Sequence, residues 1–221
     1  MKLWLVWSLA CACAHELLSA GDNPADLLAP ALVTHRDPQT LAWQSEPLFP
    51  LEPGTPPPMD VPPWWRVKKK NALYATGAGR GDHATMMTQA GAMGIETASE
   101  ARAVDDAFAD VYAYLLTLEP PAWPYDVDAA LAADGKDVFD NTCARCHGTD
   151  GDYPNLFVPL EVVGTDRAFA EANVGSVGFI DWYNRSFYGA TSQLEPGLGY
   201  VARRCRRRRC RRRIAWIGPR C

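Results

Sequence analysis

Val104, Phe108, Val111, Leu115 and Leu118 recur at alternating spacings of four and three. That period draws one apolar stripe along an α-helix and predicts a helix over 97–119. Thr97 with Glu100 three residues later offers a capping box at its start, and Pro120-Pro121 ends it. A second run, Leu131, Gly135, Phe139 and Cys143, steps by four. It predicts a helix over about 128–141 with these residues on one face. Gly135 would let another backbone come close at that face, and Phe139 would pack on a crossing helix or on a cofactor held just beyond the helix. After it Gly148, Gly151, Pro154, Pro159 and Gly164 break any period and predict a loop-rich region. Trp182, Tyr183, Phe187 and Tyr188 then form an aromatic group, able either to wall a flat apolar cofactor or to make a small core.

The earlier part of the chain is less periodic. Lys2, an apolar run over 3–14 and the small residues Ala12-Cys13-Ala14 read as a secretory signal peptide over 1–20, or equally as a buried helix over 3–18. No apolar run reaches transmembrane length, so no transmembrane segment is expected. Proline is dense from 47 to 63, and the whole of 21–63 reads as an extended, Pro-rich connector. Trp64 and Trp65 beside Arg66 and Lys68-Lys69-Lys70 could stack a ligand or nucleic acid. A single short cluster of this kind reads better as anchoring aromatics with a solvated basic run. Gly77-Ala78-Gly79-Arg80-Gly81 is neither G-x-G-x-x-G, since Asp82 stands at the third glycine, nor a P-loop. It is expected to be a backbone loop whose glycines allow positive φ.

Charge changes the picture at one end. The net charge of −4 hides a split: residues 199–221 carry 10 Arg and no acid, leaving 12 of the 22 basic residues against all 26 acids, so the body is near −14. An arginine run such as 206–209 repels itself and has no apolar period, so 201–221 is expected to be a disordered tail outside the fold, of the kind a shifted reading frame in a GC-rich gene produces. An anion- or nucleic-acid-binding arm is the functional alternative. The seven cysteines are Cys11 and Cys13, Cys143 and Cys146, and Cys205, Cys210 and Cys221, an odd total that does not suggest a disulfide framework.

The distinctive chemistry lies in Cys143-Ala144-Arg145-Cys146-His147, a C-x-x-C-H run with the attachment spacing of a c-type haem. Two thiols on one helical turn can add to the two vinyl groups of a haem, and the adjacent imidazole then serves as proximal iron ligand. Cys143 and Cys146 are therefore expected to hold one covalent haem c, and His147 its iron. A thioredoxin-like pair would need a βαβ context, which the sequence does not show. Zinc would need a second ligand pair, and Cys205 with Cys210 sits among cations that oppose it. Structural thiols beside a surface histidine are the plain alternative. No methionine lies after Met93 and no histidine after His147, which leaves His83 as a candidate second axial ligand.

Gly135, Phe139 and Cys143 to Gly148 resemble the opening of a class I cytochrome c domain. Phe108-Ala109-Asp110-Val111-Tyr112-Ala113-Tyr114-Leu115-Leu116-Thr117-Leu118 is similar to the closing helix of another. An ending followed by a beginning resembles the middle and C-terminal part of a member of the bacterial dihaem cytochrome c peroxidase superfamily. Val61-Pro62-Pro63-Trp64-Trp65-Arg66-Val67-Lys68-Lys69-Lys70-Asn71-Ala72 and Tyr153-Pro154-Asn155 resemble its rubber-oxygenase-like branch. The resemblance, over residues 30–200, implies a mainly α fold with long loops. A class I cytochrome c-like domain over 124–200 would come after the helical remainder of a second cytochrome-like domain over 64–123. Two departures stand out. The family carries two haem motifs and this chain has one, so the haem at which the family's peroxide or oxygen chemistry occurs has no attachment site. Past Tyr200, where the family supplies a sixth ligand and a closing helix, the arginine run stands instead.

The leading expectation is a monohaem c-type cytochrome in electron transfer, served by a redox partner protein or a small electron donor. Because the resembled family attaches haem outside the bacterial cytoplasm, a periplasmic or otherwise exported location is implied. An oxidoreductase of the peroxidase or oxygenase type is the alternative, with Glu161 or His83 as acid/base group. A nucleic-acid-binding protein acting through its tail is the third reading; no nucleic-acid partner is expected in the first.

Overall fold

The structure, a computed structural model, describes residues 25–51, 63–89, 91, 94–148, 152 and 157–202. The proposed leader over 1–20, most of the proline-dense stretch, Met93, Tyr153-Pro154-Asn155 and the arginine tail with Cys205 and Cys210 lie outside the described residues. Those residues are mainly helical, with two short two-stranded antiparallel sheets. None of their helices is long and apolar enough to cross a membrane.

The chain enters through helix α1 (Ala25–Val33), an element not foreseen in a stretch that reads as connector. Val33 at its end and Leu41 beyond are both core residues. Between them Asp37 Oδ1 accepts from Thr40 N, Thr40 Oγ1 and Gln39 N at 2.8, 2.9 and 3.0 Å. These bonds, the two from Thr40 foremost, hold the Asp37 carboxyl below the usual range. The turn leaves Leu41 at a φ of 61°, a left-handed conformation that costs a non-glycine residue about 1–2 kcal/mol. Complete burial of its side chain, worth about 1.5–3 kcal/mol, and a 3.0 Å bond from Arg36 Nη1 to its carbonyl hold it there.

The glycine-rich segment expected as a loop contains a strand. β1 (Gly79–Gly81) pairs antiparallel with β3 (Ser192–Leu194), Gly79 opposite Leu194 and Gly81 opposite Ser192. Its glycines are needed for close approach. A Cβ on Gly79 would lie 2.2 Å from Met86 Sδ, and one on Gly81 would lie 2.4 Å from the Thr191 carbonyl. Gly77 and Gly81 do adopt positive φ.

Helix α2 (His83–Thr88) starts on Asp82, whose Oδ1 accepts from Ala84 N at 2.8 Å. It packs along α3 (Ala98–Thr117), the long predicted helix. The capping box is formed as expected, with Glu100 N donating to Thr97 Oγ1 and Thr97 N to Glu100 Oε2. The inward face differs from the predicted stripe by one member: Val111 is exposed, and Tyr112 takes its place between Phe108 and Leu115. Tyr112 spends its hydroxyl on His83, a polar contact that a purely apolar pattern passes over. A 3-10 turn, Trp64–Lys69, also lies on α3. Its buried anchor is Val67 rather than the tryptophans, since Trp64 is about half exposed.

One buried cluster joins both halves of the chain. Val33, Leu41, Leu73, Met86, Ile95 and Ala101 come from the first; Trp182 and Tyr183 of α8 (Val177–Arg185), Tyr188 and Leu194 come from the second. The Trp182 indole donates to the Arg36 carbonyl at 2.6 Å, and Phe187 N to the Pro38 carbonyl at 2.9 Å. Tyr183 and Tyr188 stack at 5.9 Å, and Tyr183 shares a 2.6 Å hydrogen bond with Ser192. Of the two roles open to the aromatic group, the structure selects the core. A second sheet pairs β2 (Phe157–Pro159) with β4 (Gly199–Val201). The short helices α6 (Leu160–Val163) and α7 (Ala168–Gly175) lie between these strands in sequence. The Tyr200 phenol donates to the Asp166 carbonyl at 2.7 Å and stacks on Phe169, fastening α7 to β4.

Candidate haem attachment site

The site is built on helix α4 (Ala129–Val138) and its continuation. Asp128 caps the helix, accepting from Ala130 N at 2.8 Å and Leu131 N at 3.0 Å. The buried positions are Ala132, Gly135 and Phe139. Leu131, expected at the head of the stripe, is exposed. A run at strict four-residue steps drifts about 40° per step around a helix of 3.6 residues per turn. Leu131 has therefore rotated off the face that Gly135 and Phe139 share.

At Phe139 the helix changes. Phe139–Cys143 is a π-turn, closed by the Ala144 N–H on the Phe139 carbonyl five residues back. Within it Asn141 Nδ2 donates to the Asp137 carbonyl at 2.8 Å, and Lys136 pairs with Asp140. Such turns are uncommon and recur at functional sites; the extra residue rotates the C-terminal side of the helix by about 100° relative to the N-terminal side. Cys143 ends the π-turn, and the single α-turn α5 (Ala144–His147) carries Cys146 and His147. The helix predicted to stop near 141 thus runs on through the motif.

Cys143 and Cys146 are free thiols, each partly accessible, and His147 is exposed. Gly148 closes the turn, its N–H donating to the Ala144 carbonyl at 2.7 Å. A Cβ there would lie 2.4 Å from that same oxygen, so only glycine lets the chain leave so sharply. Beyond it the Asp152 N–H returns to the Arg145 carbonyl at 3.0 Å, and its carboxylate pairs with Arg145 Nε at 3.2 Å. This closure is invisible in the sequence, because an Arg and an Asp seven residues apart across glycines give no periodic signal. These features fit a covalent haem: two free, reachable sulfurs within one turn of a continuous helix and an imidazole beside the second. Among the described residues no βαβ unit surrounds the motif, and no cluster of three or more His, Cys, Asp or Glu could hold a metal ion.

The other candidates lie elsewhere. His83 is buried at the start of α2, with Nδ1 3.2 Å from the Tyr112 hydroxyl and the rings edge to face. The principal neighbours of α2 are α3, β1 and β3, not the motif helix. Glu161 stands exposed on the first turn of α6. Burial, then the nearby positive charge of Lys70, lowers the His83 pKa, with Asp82 pulling weakly the other way. Burial, helped by Asp82, raises that of Tyr112. The folded state therefore disfavours the imidazolium relative to the unfolded chain. The stability due to neutral His83 is present above the unfolded value of 6.5 and is lost as pH falls below it, until the depressed folded pKa is passed. Urea unfolding midpoints will fall as pH drops below the unfolded value of 6.5, and His83→Gln will flatten that fall. A parallel fall in the variant would assign the effect to other groups.

Comparison with known families places one match on the chain: the cytochrome c family model matches residues 132–174. No curated protein and no solved structure matches the chain. The matched stretch begins at Ala132, the first buried residue of α4, takes in the motif, β2 and α6, and ends within α7. It marks a haem-binding c-type cytochrome segment and implies covalently bound haem c. It stops short of α8 and the aromatic core. It supports the cytochrome c part of the resemblance and adds nothing for the dihaem peroxidase superfamily or its rubber-oxygenase-like branch.

Proposed function

We propose that this protein is a monohaem c-type cytochrome that transfers single electrons. Cys143 and Cys146 hold one haem c through thioether bonds, and His147 is the proximal ligand. The observation that carries this reading is the coincidence of the C-x-x-C-H spacing with two free, accessible thiols inside a stretch that matches cytochrome c. Haem c supplies reversible one-electron iron chemistry when bound. The chain's own residues fix the site. Phe139 and Gly135 seat the helix, the π-turn sets the direction of the thiols, and the pair with Arg145 ties Asp152 back to the motif. Because the body carries 12 basic against 26 acidic residues, a redox partner with a cationic docking face is favoured, and exchange with it slows as salt rises. Covalent haem attachment in the resembled family makes an exported, periplasmic location part of the proposal.

Intact mass tests the reading directly. Protein made together with a haem maturation system, then extracted with acidified acetone, will have the mass of the polypeptide plus one haem and give a pyridine haemochrome. An unmodified mass would refute the reading. The spectrum adds a second expectation. The matched stretch 132–174 holds no methionine and no histidine besides His147, and His83 is engaged with Tyr112. The ferric protein will therefore be five-coordinate and high-spin; a methionine–iron charge-transfer band would contradict this.

A further inference from the structure

A large apolar side chain on the motif helix stands in solvent just before the thiols. Val138 is 56% exposed, and Leu131, seven residues earlier, is 54% exposed. Seven residues make about two turns, so both lie along one line of α4. The buried residues Ala132, Gly135 and Phe139 occupy another side of the helix. Measured from Val138 at about 100° per residue, Gly135 lies at about 60°, Phe139 at about 100° and Ala132 at about 120°. A regular α-helix would place Cys143 at about 140° and Cys146 at about 80°, on that buried side. The π-turn Phe139–Cys143 holds one residue more than an α-turn, which sets the chain after it back by about 100°. Cys143 then falls at about 40° and Cys146 at about −20°, on either side of the Val138 line. The partial exposure of both cysteines agrees with this placement.

We infer that Val138 is a haem-contact residue: the π-turn carries both sulfurs off the buried side and onto the Val138 line, and the attached haem covers that side chain. The inference rests on haem c being held by Cys143 and Cys146. Helical Cα–Cβ bonds tilt toward the N-terminus, so a side chain covers the turn before its own Cα. For cysteines on this line that turn presents Val138, about 7 Å back along the axis from Cys143. A haem is flat and apolar, and laying it on an exposed valine removes apolar surface of both from water. Leu131 shares the line but lies about 18 Å before Cys143, too far for the same ring to cover.

Proton NMR of the haem-loaded full chain, with labelled methyl groups and the iron reduced and bound to carbon monoxide, reads the contact directly. The expected result is a nuclear Overhauser cross-peak from the Val138 methyls to protons on the haem rim, and none from the Leu131 methyls. Intact mass is taken on the same sample. Covalent haem without the Val138 cross-peak overturns this inference and leaves attachment standing; a chain with no covalent haem overturns both. Reduction potentials give an independent reading, and both positions are exposed, so the fold tolerates the changes. Val138→Glu sets a carboxylate beside the haem and will lower the potential by stabilising the ferric state. Leu131→Glu, farther off and screened by salt, will leave it nearly unchanged. Equal shifts in the two variants, or no shift in Val138→Glu, would overturn the contact.

Discussion

Replacing Cys143 and Cys146 together by serine will remove all extraction-resistant haem from protein made with a maturation system. Each thioether needs one sulfur, and hydroxyl oxygen does not replace it. The single variants Cys143→Ser and Cys146→Ser will each retain one attachment point, with lower haem content and a pyridine haemochrome shifted by the unsaturated vinyl group. His147→Ala will keep both sulfurs and so keep covalent haem, while its spectrum and reduction potential change. This graded pattern separates attachment from ligation. Covalent haem surviving in the double variant would show that the sulfurs lie elsewhere. Loss of covalent haem in His147→Ala with the polypeptide still folded would show that the imidazole is needed for attachment as well as ligation.

Trp182→Ala will strongly destabilise the protein and lower its urea midpoint by a large fraction. Emptying a buried tryptophan site costs about 3–5 kcal/mol, against a total of about 5–15 kcal/mol for a typical domain. Trp182 is 2% exposed and its indole satisfies the Arg36 carbonyl. Trp182→Phe will keep an aromatic ring but leave that carbonyl without its donor, at about 1–3 kcal/mol. The same logic governs division of the chain. A fragment of residues 124–202 contains Trp182, Tyr183, Tyr188 and Leu194 but none of Val33, Leu41, Leu73, Met86, Ile95 and Ala101, against which they are buried. Circular dichroism of that fragment in urea will show no cooperative transition. A sharp transition would establish that the cytochrome stretch folds by itself.

The motif and the two principal helices were legible because their signals are local. A capping box, a 3.6-residue period and a C-x-x-C-H run need only a few neighbouring residues. The features that were not legible depend on distant partners. Glycines 77–81 read as a loop, yet the strand they contain is completed by residues 192–194, more than a hundred positions on. Val111 and Leu131 fitted their apolar runs but lie exposed, since an ideal period does not include a tyrosine bonded to a histidine or the drift of a four-residue ladder. The π-turn left no trace in composition. The aromatic group at 182–188 offered two uses with one pattern, and only its contacts with residues 33–101 decided between them.

The core and the motif also stand in an order in time. A ribosome extends the chain from its N-terminus, so the thiols of Cys143 and Cys146 exist before the residues that complete the buried cluster. Leu194, the last member of that cluster, lies 48 positions beyond Cys146, about 2–10 s of synthesis at about 5–20 residues per second. Through most of that interval the apolar surfaces of Val33, Leu41 and Met86 have no Trp182 or Tyr188 to close on. The buried cluster therefore closes only after the motif has been made, when residues 182–194 are at hand.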